Sequence, residues 1–189
     1  AGHVRFAYVV GCTWTTAMTG SQFLANTLEK FTRDNPHQLT STDKDAAIET
    51  FKKRVDSGGM MLVHQDIYLR KPIGSIIADI VLPAATWGEA DFARANGERR
   101  LRLYSKFYDP PGESKPDWQI VAMFAKAMGF DGFDWKEPND VFEEAARFTR
   151  GSRKDYLPLV WLAKNKGVKT HDLLRAYGTH GIQGPIRYQ

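Results

Sequence analysis

Cysteine is nearly absent from this sequence, with Cys12 the only one among 189 residues. A single thiol cannot form an internal disulfide, and it cannot supply the three or four thiolates of a zinc or iron–sulfur site. No apolar run approaches the roughly 18 residues of a membrane span, and residues 1–5 show no signal peptide. The sequence therefore predicts a packed, soluble domain without a cysteine-bound cluster or a membrane span.

Charge of one sign is not in large excess either. The 26 basic and 22 acidic residues give a net charge of +4, and no nucleic-acid-binding motif accompanies them. Hydrophobic residues at 42% and charged residues at 25% exclude a disordered, collagen-like or coiled-coil chain. The length predicts one domain with an extension. The start at Ala1 and an end that closes no core indicate part of a longer protein.

Short apolar runs alternate with helical patterns in the first half of the chain. Each run is rich in β-branched or aliphatic residues and stops at turn residues, as buried strands do. Strands that alternate with helices favour a parallel sheet, so residues 1–108 are predicted to be α/β, a Rossmann-like parallel sheet with helices on both faces. Strands are predicted at 4–10, 60–64 and 80–82, and helices at 21–31 and 42–55.

The two predicted helices have separate signals. The first has an apolar stripe at helical spacing. The second begins at Thr42, which is followed three residues later by Asp45. The stripe of the first consists of Phe23, Leu24, Thr27, Leu28 and Phe31.

The second half has a different pattern, and residues 109–189 are predicted to be a mostly helical extension. Residues 101–104 are compatible with one more strand, and Asp109–Gly112 is predicted to be a turn. An amphipathic helix is predicted to be capped by Asp117 and to end at Gly129. Further short helices are predicted near 139–149, 154–165 and 171–177.

Candidate ligand-binding residues follow the predicted strands, because open parallel sheets bind ligands at the carboxyl ends of their strands. After the first strand, the small residues of 11–16 suit close approach of a pyrophosphate, although they lack a GxGxxG fingerprint and are also compatible with an ordinary turn. After the second strand, Asp66 is placed either to accept hydrogen bonds from a nucleotide or to cap a turn.

A basic stretch follows the third strand. Its arginines bind either ligand phosphates or a partner acid, or else they pair with Glu89, Asp91 and Glu98 on a solvated edge. The histidines show no metal-ligand spacing, and no Ser or Cys lies in a nucleophile elbow. The basic residues are Arg94, Arg99, Arg100, Arg102 and Lys106.

The run from Ala78 to Gly112 resembles the AD-x-x-LP…E…N-x-E-x-R signature of the DMSO reductase family of molybdopterin oxidoreductases. The strand ending at Gly11-Cys12-Thr13 and the Gln65–Tyr68 segment resemble two upstream elements of that family, with Thr13 where Asn is usual. Within the family, segments 96–117, 133–148 and 178–187 are similar to the large subunit of arsenite oxidases.

The resemblance implies a function and a set of cofactor-binding residues. The segment would help to bind a molybdenum bis(molybdopterin guanine dinucleotide), and the complete enzyme would oxidise arsenite to arsenate by oxygen-atom transfer. An iron–sulfur cluster would belong to the full-length subunit and not be ligated by this segment, which alone is expected to be inactive. The cofactor-binding residues implied are Gly11, Cys12, Thr13, Asp66, Tyr68, Glu89 and Asn96.

Partners and alternatives also follow from the resemblance. It implies a small Rieske-type iron–sulfur subunit and a periplasmic location, with no nucleic-acid partner. Another oxidoreductase of the family, of formate or nitrate type, is one alternative. A non-catalytic scaffold with the same fold is the other.

Overall fold

The computed structural model describes residues 3–152 and 154–184, and the chain divides after Ala84 into two units. The first unit is built on a parallel sheet in the order β1-β2-β3. The register pairs Val9 with His64 and His64 with Val81. The elements of this unit are β1 (Phe6–Val10), α1 (Trp14–Ala17), α2 (Ser21–Phe31), α3 (Lys44–Asp56), β2 (Met61–Asp66), a π-helical turn (Ile73–Ile77) and β3 (Ile80–Pro83).

The core of the first unit lies between this sheet and its helices. It forms because apolar side chains of β1 and β2 pack against one face of α2 and against the π-helical turn. Phe23 is 78% exposed, so the prediction that it belongs to the buried stripe of α2 is wrong, and Ala25 is buried in that helix instead. The core residues are Val9, Ala25, Leu28, Met60, Leu62, Ile73 and Ile77.

The second unit combines a small antiparallel sheet with four helices. The sheet has the order β4-β5-β6. Leu101 of β5 pairs with Ala95 of β4 on one side and with Ile182 of β6 on the other. The elements are β4 (Phe92–Ala95), β5 (Arg100–Tyr104), α4 (Asp117–Ala127), α5 (Pro138–Phe148), α6 (Leu157–Asn165), α7 (Thr170–Ala176), a 3-10 turn (Gly178–His180) and β6 (Ile182–Gln183).

The α/β class with a parallel sheet flanked by helices, followed by further helices, is confirmed. Two helix starts differ from the prediction. Asp43, and not Thr42, caps α3, because its carboxylate accepts the Ala46 amide at 2.9 Å. The residue before α4 is Pro116, so Asp117 is the first helical residue and not the cap.

The contacts divide the chain after Ala84, whereas the sequence indicated a boundary after residue 108. Strands β4 and β5 lie in the second unit because β5 pairs with β6, near the end of the described chain. Strand β4 was not predicted. The extent of the cofactor-binding portion, residues 1–108, stays a prediction.

Candidate functional site

The carboxyl ends of β1 and β2 lie side by side in the first unit. Val10 pairs with Gln65, and the Gly11 amide donates to the Gln65 carbonyl at 2.8 Å. The loop after β1 and the segment after β2 therefore begin at the same edge of the sheet. The predicted residues Gly11, Cys12, Thr13, Asp66 and Tyr68 all belong to this edge.

The loop after β1 offers backbone amides. Gly11 has φ +54°, a conformation that favours glycine, and the space where a Cβ would stand is open. The Thr13 carbonyl accepts the Thr16 and Ala17 amides at 2.9 and 2.8 Å, which begins α1. Within the described residues, the amides of Cys12 and Thr13 have no hydrogen-bond partner. Unpaired amides beside an open glycine are suited to an anionic group.

Asp66 is buried, and its carboxylate already has partners. One oxygen, Oδ1, accepts the Ile67 amide at 2.7 Å and the Tyr68 amide at 3.4 Å. The other, Oδ2, accepts Nε of Arg70 at 2.6 Å. The Asp66 side chain is only 2% exposed. These contacts are those of the turn-capping alternative, and direct recognition of a nucleotide by Asp66 stays a prediction.

Arg70 is a polar residue at this edge that sequence reasoning missed. Its side chain is 35% exposed, and its guanidinium carbon lies 5.6 Å from the ring centroid of Tyr68, itself 66% exposed. Asp66 holds the guanidinium through a charge-assisted bond. The only signal in the sequence is an acid four residues before an arginine, which is a common spacing. The geometry makes Arg70 the cation of this edge.

A buried histidine adjoins the Asp66–Arg70 pair. His64 is fully buried, its Nε2 lies 3.5 Å from Asp66 Oδ2, and neither ring nitrogen has a hydrogen bond. Burial lowers the pKa of the imidazole; the Asp66 carboxylate opposes that shift and Arg70 adds to it. His64 is therefore neutral near pH 7 and packs as a largely apolar ring. Gly74 lies against it, since a Cβ there would come within 2.8 Å of Nδ1.

Glu89 and Asn96, the two other predicted residues, lie in the second unit and shape turns. Glu89 is buried and accepts the Thr86 amide at 2.8 Å. Asn96 accepts the amides of Glu98 and Arg100 at 3.1 and 3.0 Å, which closes the turn between β4 and β5. Their role toward a cofactor stays a prediction.

Among the described residues, no cluster of three or more His, Cys, Asp or Glu side chains is arranged to hold a metal ion. No helix in residues 3–152 and 154–184 has the length and apolar composition needed to cross a membrane.

Comparison with known proteins identifies the family of this chain. Residues 36–127 match the family described as molybdopterin oxidoreductase. The chain is 61% identical, over 98% of its length, to the iodate reductase subunit IdrA of Denitromonas iodatirespirans. The chain belongs to the molybdopterin oxidoreductase family. It is also 55% identical, over 98% of its length, to the iodate reductase subunit IdrA of Pseudomonas sp. (strain SCT).

The likeness to arsenite oxidase expected from the sequence is weaker. The chain is 38% identical, over 69% of its length, to the arsenite oxidase subunit AioA of Herminiimonas arsenicoxydans. The family is therefore confirmed, and arsenite as the substrate is not. The chain spans 21% of the length of each of the two iodate reductase subunits and 17% of the arsenite oxidase subunit.

Membership of the molybdopterin oxidoreductase family implies a molybdenum–pterin cofactor, and the sheet edge fits an anionic part of such a group. The fit consists of the open position above Gly11, the unpaired amides of Cys12 and Thr13, and the anchored guanidinium of Arg70. Cys12 is a free, half-buried thiol that packs against the core of the first unit. The thiol therefore contributes to packing, and any contact of Cys12 with a cofactor would be made by its backbone amide.

Proposed function

We propose that this chain is the cofactor-binding segment of the catalytic subunit of an iodate reductase. The observation that carries the proposal is the identity of 61% and 55% to two iodate reductase subunits over 98% of the chain. The corresponding figure for the arsenite oxidase subunit is 38% over 69% of the chain. A difference of this size across one segment favours iodate over arsenite.

The segment contributes binding and orientation, and the molybdenum–pterin group supplies the two-electron redox chemistry when it is bound. The amides of Cys12 and Thr13 donate to the anionic part of a pterin guanine dinucleotide, and Arg70 adds positive charge from the neighbouring strand. Asp66 holds Arg70 in place. The guanine dinucleotide form, and an iron–sulfur cluster held elsewhere in the subunit, are parts of the proposal that rest on the resemblance.

Arsenite oxidation is the second candidate, because the arsenite oxidase subunit aligns with 69% of this chain. Iodate reduction removes oxygen from an oxyanion, whereas arsenite oxidation adds oxygen to one. The two reactions run in opposite redox directions, so a single preparation distinguishes them.

The test uses the complete enzyme that contains this chain. Iodate-dependent oxidation of a reduced dye and arsenite-dependent reduction of an oxidised dye are measured on the same sample, with nitrate and formate as further substrates. We expect kcat/KM for iodate to exceed that for the other three, and enzyme produced without molybdenum to be inactive. Turnover of arsenite without turnover of iodate would reverse the assignment.

A partner subunit and a location complete the proposal. The relatives are named as subunits of their enzymes, which supports an accompanying subunit here. The resemblance stated above makes it a small Rieske-type iron–sulfur protein and makes the location periplasmic. Purification of the enzyme from a periplasmic extract, with analysis of the iron content of the second polypeptide, tests both statements.

A further inference from the structure

The second unit presents three arginines on one face of its sheet. Arg94 of β4 stands directly opposite Arg102 of β5 in the register, and Arg100 precedes Arg102 by two residues. Opposite residues share a face, and so do residues two apart in one strand. Arg94, Arg100 and Arg102 therefore form what we call the arginine face.

The arginine face lacks neutralising acids in the part of the chain that the structure describes. No carboxylate of those residues lies within 4.0 Å of its three guanidinium groups. Arg100 donates to the His180 carbonyl at 2.9 Å, and Nε of Arg102 is enclosed without a hydrogen bond. The pairing with Glu89, Asp91 and Glu98 considered from the sequence is not formed, since Asp91 binds Arg175 at 2.8 Å instead. The arrangement is unfavourable for the sheet alone, because like charges directly opposite repel.

An aromatic pair lies on the same face beside the arginines. Phe92 and Tyr104 stand opposite each other, with ring centroids 4.9 Å apart and planes inclined by 8°. Tyr104 is 40% exposed. Tyrosine and arginine side chains are the ones that anchor protein interfaces most often.

The spacing indicates the chemistry of the occupant. Opposite Cβ atoms are roughly 5 Å apart, and same-face residues along a strand are roughly 6–7 Å apart. The three guanidinium groups and the aromatic pair extend over several residues of both strands, and an extended cationic surface of this kind is complementary to several carboxylates on a protein surface. The occupant that fits is a carboxylate-rich protein surface with an apolar contact for Tyr104.

We propose that the arginine face binds an acidic surface of the subunit that accompanies this chain in the enzyme. The proposal rests on the proposed function to the extent that the relatives are named as subunits. The repulsion between Arg94 and Arg102 is then relieved in the complex, where each guanidinium meets a carboxylate.

The decisive variant is Arg94→Glu in the complete catalytic subunit. This change replaces a repulsive cross-strand pair with an attractive one, so the isolated subunit keeps or raises its melting temperature. The dissociation constant for the accompanying subunit increases at least tenfold, and its salt dependence becomes shallower. Binding is measured by titration calorimetry at two salt concentrations, and stability by differential scanning fluorimetry on the isolated subunit. Arg94→Gln gives a smaller change in the same direction.

The matched control is Arg150→Glu, an exposed arginine that lies outside the sheet and carries the same charge change. We expect that variant to leave the dissociation constant within about twofold. Unchanged binding by Arg94→Glu overturns the proposal. A fall in the melting temperature of the isolated subunit without weaker binding overturns it too, because the face is then covered by carboxylates of its own polypeptide. A wild-type enzyme that purifies without a second subunit also overturns it. Iodate reduction is measured separately, so these outcomes leave the proposed function to its own test.

Discussion

At the edge of the parallel sheet, the hydrogen bonds of the buried Asp66 carboxylate limit how this residue can act on a ligand. Asp66 is bonded to two backbone amides and to Arg70, and its side chain is 2% exposed. A carboxylate in this position acts on a ligand most directly through the guanidinium that it orients. Under the proposed function, Arg70 would contact the ligand and Asp66 would be a positioning residue.

We predict that Asp66→Asn and Arg70→Gln each lower the molybdenum and guanine nucleotide retained per folded complete enzyme by about tenfold. The loss of one charge-assisted bond costs about 1.5–3 kcal/mol, and 1.4 kcal/mol is a factor of ten. Asparagine still accepts the two backbone amides, so the turn itself is kept. The measurement is metal and nucleotide analysis of the purified variants.

The double variant separates the two roles of Asp66. If Asp66 acts through Arg70, the double variant loses no more cofactor than either single variant, because both remove the same interaction. Additive losses show that Asp66 itself contacts the nucleotide. Full retention by both single variants assigns Asp66 to turn capping alone.

A second ion pair of the first unit, Arg54 with Asp79, is buried on both sides. Arg54 of α3 is fully buried and binds Asp79, whose other oxygen accepts the Leu62 amide at 2.9 Å. Nε of Arg54 donates to the His37 carbonyl at 2.7 Å. The pair therefore joins α3 to the starts of β2 and β3.

We predict that Arg54→Met destabilises the first unit by about 3–5 kcal/mol, because it leaves the Asp79 carboxylate buried without its cation. Hydrogen exchange of the β2 amides in the complete enzyme reports this local stability. We expect the exchange rate of these amides to rise at least a hundredfold in Arg54→Met. Lys53→Met, one residue away and 58% exposed, serves as the control and changes exchange little. Equal exchange rates in the two variants would show that the pair contributes nothing.

At the scale of elements, α3 is one of two helices that start at a different residue from the one predicted. Thr42 and Asp43 both suit a cap, and the structure uses Asp43, whose backbone is extended at ψ 131° and whose carboxylate bonds the Ala46 amide. Removing this bond leaves an amide of the first turn without a partner.

We predict that Asp43→Ala destabilises α3 by about 1 kcal/mol and that Thr42→Ala has almost no effect. Asp43→Asn restores most of the loss, because asparagine caps about as well as aspartate. Hydrogen exchange of residues 47–56 in the complete enzyme distinguishes the three variants. A larger effect of Thr42→Ala than of Asp43→Ala contradicts the observed cap.

At the scale of the whole molecule, each unit contains a buried histidine. His64 lies in the first unit and His171 in the second, where it is 5% exposed and packs against Phe142 with ring centroids 5.6 Å apart. Burial lowers the pKa of both imidazoles. A histidine whose pKa is lower in the folded than in the unfolded state binds protons more readily when unfolded.

We predict that both units lose stability as the pH falls. The contribution is complete above the unfolded pKa of about 6.5 and is lost progressively below it, toward the lower pKa of the folded state. The measurement is amide exchange of β2 and α7 in the complete enzyme at pH 7.5 and at pH 5.5, corrected for the intrinsic dependence of exchange on pH. His64→Gln and His171→Gln each flatten the dependence in their own unit only. A pH-independent stability in both units would contradict neutral burial of these rings.

The candidate site was partly predictable from the sequence. A strand that stops at Gly11 and a second that ends at Asp66 indicated where a ligand-binding edge would form, because the carboxyl ends of parallel strands meet. Arg70 was missed, since an arginine four residues after an acid is common on protein surfaces. Tertiary burial of Asp66 turns that pair into an anchored cation, and burial is not visible in a sequence window.

The sequence by itself determined the strands of the parallel sheet, the helices α2 to α7 to within a few residues, and the family, whereas the short helix α1 was not predicted. The helix Ser21–Phe31 has the predicted bounds, and β3 is predicted to within one residue, because periodicity and turn residues act over a few neighbours along the chain. Only the tertiary structure decided that Leu101 pairs with Ile182, that Arg94 faces Arg102 and that Phe23 is exposed. Such choices depend on which distant segments exclude water from one another, and local propensity carries no information about them.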